Sequence, residues 1–153
     1  MQGIKPVVND YVIGLALVDE EGTLLVASEN GIGKRSPFAD YRAQTRGGKG
    51  IITMKCNEKT GEVVGATTVF AEDELMLMTS DGQSIRIRCK DVREAGRNTQ
   101  GVKLVSLKDG EKLQDIARVV PDEESDDEED TTDGVNDSGT DGTPAVETDQ
   151  EEE

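Results

Sequence analysis

The sequence predicts an all-β fold of repeated, propeller-like blades, each with four strands and about 51 residues. The first observation behind this prediction is self-similarity at a fixed interval, which marks a repeat architecture. The second is a series of short runs rich in β-branched residues that are separated by turn dipeptides. No window of useful length has the 3.6-residue period of an amphipathic helix. We therefore expect strands and turns with almost no helix.

The repeat is visible when the sequence is shifted by 51 residues against itself. The shift superposes Gly14–Arg35 on Gly65–Arg86, and the register continues without a gap until Gly50 meets Gly101. Such agreement over nearly forty residues predicts two full blades of the same structure.

Partial copies lie on both sides of these blades. A third copy begins at Asp115–Val120, and Gln2–Lys5 resembles Gln100–Lys103. We therefore assign residues 1–120 to a partial array of about two full blades plus partial ones. Because such arrays need at least about three repeats for stability, we expect the chain to be the end of a longer array.

The predicted strands are the apolar runs between the turns. They are Leu15–Val18, Leu24–Ala27, Ile51–Met54, Val63–Val69, Leu75–Thr79, Ser84–Arg88 and Val102–Leu107. The turn signals are Asn30-Gly31, Thr60-Gly61, Asp81-Gly82 and Asp109-Gly110. Strict alternation in Ser84–Arg88 predicts that Ile85 and Ile87 face one side of the sheet and that Arg86 and Arg88 face the other.

Composition separates the blades from an acidic tail. Of 33 acidic residues, 16 lie after residue 121 with no Lys or Arg among them, so residues 1–121 hold 17 acids and 17 bases. We expect residues 121–153 to be disordered, because they contain too few apolar residues to offset the entropy of ordering. The chain has two cysteines, no histidine and no apolar run long enough for a membrane helix. These features predict a cytoplasmic protein with reduced thiols.

Basic residues recur with the blades. Gly31–Lys55 has six bases and one acid, Cys56–Asp81 has one base and six acids, and Gly82–Lys108 has seven bases and two acids. Equivalent positions in successive blades predict a basic stripe along one edge of the array. Such a stripe favours a polyanion as partner.

Glycines in one basic segment sharpen this prediction. In "RGGKG" (Arg46–Gly50), residues without side chains allow close approach of the backbone to a phosphate, and Arg46 and Lys49 supply charge. A nucleotide-binding P-loop is excluded because no GxxxxGK[ST] is present. The candidate contacts with this polyanion are Lys34, Arg35, Arg42, Arg46, Gly47, Gly48, Lys49, Gly50, Arg86, Arg88, Arg93, Arg97 and Lys103.

Catalytic residues are not predicted. Tyr41 is followed by Arg42, but the surrounding "PFADYRAQ" matches a blade, so Tyr41 is expected to have a packing role. The acids of Ala71–Glu74 lie in a turn and are expected to be solvated. We therefore predict no catalytic residue, no metal, no cofactor, no small-molecule substrate and no membrane partner.

The segments "ENGIGKRSPFADYRAQTRGGKGII", "LMLMTSDGQSIRI" and "GRNTQGVKL" resemble the C-terminal DNA-wrapping domain of the DNA gyrase A subunit, a β-pinwheel in the type IIA topoisomerase family. Gln44–Gly50, "QTRGGKG", resembles the gyrase box QRRGGKG with Thr45 in place of an arginine. The resemblance covers residues 2–120 and implies late blades followed by an acidic tail. The related subunit of topoisomerase IV has fewer and more degenerate blades, so the retained RGGKG favours gyrase.

The resemblance implies a function and partners. It implies a non-catalytic piece that bends duplex DNA around a basic edge for negative supercoiling, next to a cleavage core and an ATPase subunit, with modulation by the acidic tail. Two alternatives remain open from the residues: a stand-alone repeat module that binds an acidic protein, and a separate accessory DNA binder. With two Phe, two Tyr and no Trp, the sequence offers little for a protein-binding patch.

Overall fold

The computed structural model describes residues 3–121 and contains seven strands. They are β1 (Thr23–Ser28), β2 (Ile32–Pro37), β3 (Val63–Val69), β4 (Glu74–Thr79), β5 (Ser84–Arg88), β6 (Val102–Lys103) and β7 (Leu113–Val119). Two short 3₁₀ helices, Phe38–Asp40 and Cys89–Asp91, follow β2 and β5. The predicted all-β class is confirmed. The predicted disordered tail lies outside the described residues, apart from Pro121.

The strands form two antiparallel sheets that repeat one plan. The first sheet has the order β3-β1-β2-β6, and the second has the order β5-β4-β7. The hairpin β1–β2 pairs Thr23 with Pro37, and 51 residues later the hairpin β4–β5 pairs Glu74 with Arg88. The pairings β1–β3 and β4–β7 each contain a register shift after the fifth residue of the central strand. The first sheet therefore combines the hairpin of one repeat with two strands of the next, β3 and β6, and the second combines a hairpin with one such strand, β7.

The main hydrophobic core joins the two sheets. Leu25 and Ala27 of β1 pack in one cluster with Leu75 and Leu77 of β4 and with Leu113 of β7, and all five are essentially inaccessible to solvent. A smaller cluster lies on the other face of β1. Because both faces of β1 are covered, this strand has apolar residues at consecutive positions and does not alternate.

Most predicted strands are confirmed, and two are wrong. Leu15–Val18 and Ile51–Met54 lie outside the strands of the structure, and β2 was not predicted. The predicted run Val102–Leu107 is reduced to the two residues of β6, and β7 contains most of the predicted start of the third copy.

The two wrong predictions have one physical cause. By the 51-residue repeat, residues 12–18 correspond to β3 and residues 51–52 correspond to β6. In the first sheet β3 and β6 flank the hairpin β1–β2. The described residues contain no hairpin for residues 12–18 and 51–52 to flank, so their backbone groups lack the sheet partner that makes a strand. As a result Leu15 is 92% exposed and Leu17 is 81% exposed.

Candidate nucleic-acid interface

Three of the predicted DNA contacts line one groove. Strand β5 places Arg86 and Arg88 on its exposed face, while Ile85 and Ile87 pack against the core as the alternation predicted. The groove has a volume of about 290 Å³ and is lined by Arg86, Ile87, Arg88, Asp91, Val92, Val102, Lys103 and Leu104. Lys103 comes from β6, so one strand from each sheet supplies the cations.

The arginines of this groove form surface ion pairs. Arg88 Nε lies 2.9 Å from Asp91 Oδ2, with the two side chains 62% and 55% exposed, and Arg86 pairs with Glu74. The Arg88–Asp91 pair is solvent-exposed, and such pairs contribute about 0–1 kcal/mol. A phosphate can therefore replace Asp91 as the partner of Arg88 at small cost.

Arg93 adds a fourth cation beside the groove. It lines a neighbouring depression of about 210 Å³ together with Gln100 and Gly101, and Val102 lines both concavities. Arg93 is exposed. We call Arg86, Arg88, Arg93 and Lys103 the basic groove.

The RGGKG loop is fastened to the N-terminal segment. Gly47 N–H donates to the carbonyl oxygen of Gly3 at 2.8 Å, and Lys5 N–H donates to the carbonyl oxygen of Gly48 at 3.0 Å. The N–H of Gly47 is therefore already used and does not point at a phosphate, which corrects part of the expectation for this loop. Arg46 and Lys49 are exposed.

A depression of about 210 Å³ marks this loop on the surface. It is lined by Gly3, Ile4, Gln44, Thr45, Arg46, Gly48 and Gly50. A similar contact reaches the equivalent acceptor one blade later, where Lys55 N–H donates to the carbonyl oxygen of Thr99 at 3.0 Å. Each of these loops is thus held by the segment that ends the preceding repeat.

The other predicted arginines differ in exposure. Arg42 is exposed. Arg35 is half-buried, and its Nε donates to the carbonyl oxygen of Val92 at 2.9 Å. Arg97 is half-buried too: its Nη1 donates to the carbonyl oxygen of Ile52 at 2.7 Å, and its guanidinium lies 5.9 Å from the centre of the Tyr41 ring. Arg35 and Arg97 therefore have structural contacts in addition to any contact with DNA.

Lys34 is not at the surface, and this corrects its prediction as a DNA contact. The residue is completely buried, and its Nζ donates to the carbonyl oxygens of Gly96 at 2.6 Å and Arg97 at 2.5 Å and to Thr99 Oγ1 at 3.1 Å. Burial, and then the nearby charge of Arg97, lower the pKa of Lys34, while Asp40 raises it. This lysine holds the protein's own backbone.

The sequence does contain a signal that Lys34 is buried, although a lysine in a basic segment suggests a surface position. Shifted by 51 residues, Lys34 aligns with Ile85, whose side chain packs against the core. Ser36 aligns in the same way with Ile87 and is also buried. The alternation read in the second copy therefore assigns both polar residues to the inner face of β2.

Comparison with known proteins agrees with the repeat and the fold. The family model described as the DNA gyrase C-terminal domain, beta-propeller, matches residues 22–69 and 73–119. The chain belongs to this family. Each matched range runs from the start of a hairpin to the end of the strand, β3 or β7, that pairs with the first strand of that hairpin, and β6 of the first sheet lies in the second range.

Among the relatives of this gyrase domain, the DNA gyrase A subunit of Helicobacter pylori is 47% identical over 109 residues, which are 70% of this chain and 13% of that protein. The DNA gyrase A subunit of Staphylococcus aureus is 40% identical over 144 residues, or 92% of this chain and 16% of that protein. A solved structure of the DNA gyrase A C-terminal domain has a TM-score of 0.72 at 28% identity and covers 77% of this chain and 40% of its own. The chain thus spans about a seventh of the curated relatives that it matches.

Among residues 3–121, no group of three or more Cys, Asp or Glu side chains is arranged to hold a metal ion. The same residues contain no helix that is both long and apolar enough to cross a membrane. These two findings concern the described part of the chain only.

Proposed function

We propose that this chain binds duplex DNA along the basic groove and bends it, as the C-terminal piece of a gyrase A subunit that introduces negative supercoils. The observation that carries the proposal is the convergence of Arg86, Arg88, Arg93 and Lys103, which come from one strand of each sheet and the segment between these strands, on adjoining concavities. The RGGKG loop with Arg46 and Lys49 extends the binding surface in the preceding repeat. The site of action is the cytoplasm.

The chemistry of the groove favours contact with the DNA backbone over reading of bases. Its cations are long, exposed side chains that suit phosphates, and the contribution of such contacts is independent of sequence. Bending a site of 20–30 base pairs costs about 1–6 kcal/mol, which several charge-assisted contacts offset. Wrapping therefore requires that several loops contact the DNA together.

DNA cleavage and ATP hydrolysis belong to other parts of the assembly in this proposal, namely a cleavage core and an ATPase subunit. Tyr41 could be taken for the attacking tyrosine, but its hydroxyl oxygen is buried and its ring lies against Phe38 at a centroid distance of 6.4 Å. A buried hydroxyl and a packed ring support a packing role for Tyr41. The role of this chain is to bind and shape the DNA.

The salt dependence of DNA affinity tests the proposal. If about four to six phosphates are contacted, log K should fall against log salt with a slope of roughly −4 to −5. Replacing Arg88 and Lys103 with Gln should flatten this slope by roughly 1.8. The matched control replaces Lys59 and Lys108, two exposed lysines outside the predicted set, and should leave the slope nearly unchanged.

Two results would contradict this function. One is an affinity that does not depend on salt, and the other is equal flattening by the groove variant and its control. Tight binding to an acidic protein in place of DNA would support the stand-alone repeat module instead. Efficient wrapping by a chain that makes no contact with a cleavage core would favour a separate accessory DNA binder.

The acidic segment 122–153 is proposed to weaken DNA binding by competing for the same cations. It carries 16 acids and no base, so it is a tethered polyanion at high effective concentration. Its deletion should raise DNA affinity most strongly at low salt, because the Debye length falls from about 10 Å at 0.1 M to about 3 Å at 1 M. Equal affinity with and without the segment at about 50 mM salt, where screening is weak, would reject this part of the proposal.

A further inference from the structure

Lys34 is an unusual lysine because it is completely buried. An ammonium group has three donors and no acceptor, and the three donors of Lys34 meet three acceptors of the second repeat: two carbonyl oxygens and one hydroxyl. All three acceptors lie within Gly96–Thr99. This stretch belongs to the loop of the second repeat that is equivalent to the RGGKG loop of the first. A buried charge of this kind is stable only when it is fully hydrogen-bonded, as it is here.

The neighbours of Lys34 on β2 bind the same stretch of chain. Ser36 Oγ donates to the carbonyl oxygen of Ala95 at 2.7 Å, and Arg35 Nε donates to that of Val92 at 2.9 Å. The backbone of Arg35 adds two bonds, accepting from Ala95 N–H at 2.8 Å and donating to the carbonyl oxygen of Arg93 at 3.1 Å. Three consecutive residues of the first repeat thus fix the backbone of residues 92–99 in the second.

From these contacts we infer that Lys34 is a positioning residue for DNA binding: it holds the loop Gly96–Gly101 in the form that sets Arg93 and Lys103 beside each other. This inference rests on the proposed function and adds a link between blades, since β2 of one repeat shapes the binding loop of the next. The second repeat has Ile85 at the equivalent position, which cannot make this link. The contact that Lys34 makes with a loop of the next repeat therefore has no equivalent at Ile85.

Loss of the Lys34 contacts should weaken DNA binding because the loop Gly96–Gly101 is then less ordered before DNA binds. Without the ammonium group, the carbonyl oxygens of Gly96 and Arg97 lose a buried, charged donor and the loop gains freedom. DNA then has to order the loop as it binds, and the cost of that ordering is subtracted from the affinity. Lys34 lies at the wall of the depression that Arg93 lines, but its side chain has no solvent-exposed area, so the phosphate contacts of the exposed cations remain.

The test compares Lys34→Met with Lys103→Met in the full chain, so that one buried and one exposed lysine lose the same charge. In Lys34→Met, hydrogen exchange of the DNA-free protein should show amide protection at residues 96–101 reduced by about 10-fold or more, with residues 75–77 changed less than about twofold. Its DNA affinity at fixed salt should fall by about 10-fold with an unchanged salt slope. Lys103→Met should instead flatten the slope by roughly 0.9 and leave the loop protected.

Other results would overturn the inference. A flatter salt slope in Lys34→Met with an ordered loop would make Lys34 a direct DNA contact. A loosened loop with unchanged DNA affinity, or an equal loss of protection in all strands, would reduce Lys34 to a general structural role. If Lys34→Met does not fold, Thr99→Val removes one acceptor at an exposed residue and should give the same pattern with a smaller size. If the unmodified chain binds no DNA, the proposed function fails, while the exchange measurement still decides whether Lys34 holds the loop.

Discussion

Replacing Gly101 with Ala tests how closely the two repeats approach at the binding loop. Gly101 has a φ of +92°, and a Cβ atom there would lie 2.5 Å from the carbonyl oxygen of Gly33 and 2.8 Å from its carbonyl carbon. The left-handed conformation alone costs a residue with a side chain about 1–2 kcal/mol. Displacing backbone atoms of a packed strand adds about 1–3 kcal/mol. We therefore expect Gly101→Ala to lower the free energy of unfolding by about 2–5 kcal/mol in total.

Gly82 supplies the matched control, because it occupies a similar conformation in open space. Its φ is +79°, and a Cβ atom there would meet nothing within 4 Å. Gly82→Ala should therefore show the conformational cost alone, about 1–2 kcal/mol, or a fall in Tm of roughly 3–8 °C. Urea unfolding followed by circular dichroism measures both variants. Equal losses of stability would refute the close approach of Gly101 to Gly33.

Three further predictions concern thiols, acid and association. Burial raises the pKa of the Cys89 thiol to about 11 from its ordinary value of 9.0, so the folded state keeps a proton that the unfolded state loses between these values. The free energy of unfolding of the unmodified chain should therefore fall relative to that of Cys89→Ala as the pH rises from 9 to 11, and a constant difference would contradict the shift. A thiol reagent should modify exposed Cys56 in the native protein and reach Cys89 only after unfolding; equal rates would contradict this burial. A hydrogen bond from Thr79, and then one from Lys108 N–H, lower the pKa of Glu111. The unmodified chain should therefore be more stable than Glu111→Gln above pH 4.5, and this difference should shrink as the pH falls below that value. A difference that does not change with pH would argue against those hydrogen bonds. Because the apolar side chains of residues 11–18 are exposed, sedimentation should show a mass that rises with concentration, whereas a sharply melting monomer at every concentration would exclude association.

Sequence periodicity predicted the architecture well because the repeat and the alternation follow from local packing. Strands such as β3 and β5 have apolar residues at the spacing that a buried sheet face requires. The missed strand β2 reads "IGKRSP", and glycine, lysine, serine and proline there conceal an inner face that is made of polar residues. The strand prediction within residues 12–18 was wrong for the opposite reason. These residues have the composition of a strand, but a strand needs a neighbour to pair with, and the described residues do not provide one.

The candidate DNA-binding surface was only partly predictable for a related reason. Net charge along the chain located the basic segments, and Arg86, Arg88, Arg93 and Lys103 lie where a stripe was expected to supply cations. Charge alone could not distinguish Lys34, since a lysine that serves backbone carbonyls and one that serves phosphates look alike in composition. The distinction comes from burial, which depends on the second repeat folding over β2.

The most direct test of the account is to map where DNA contacts the chain. Amide signals of the isotopically labelled protein would be followed while a short duplex of arbitrary sequence is added. We expect the largest shifts at residues 86–93 and 100–103 and at residues 46–50, with little change in the acidic stretch Cys56–Asp81. Shifts confined to the exposed apolar residues 11–18, or spread equally over basic and acidic surfaces, would contradict the basic groove as the DNA-binding site.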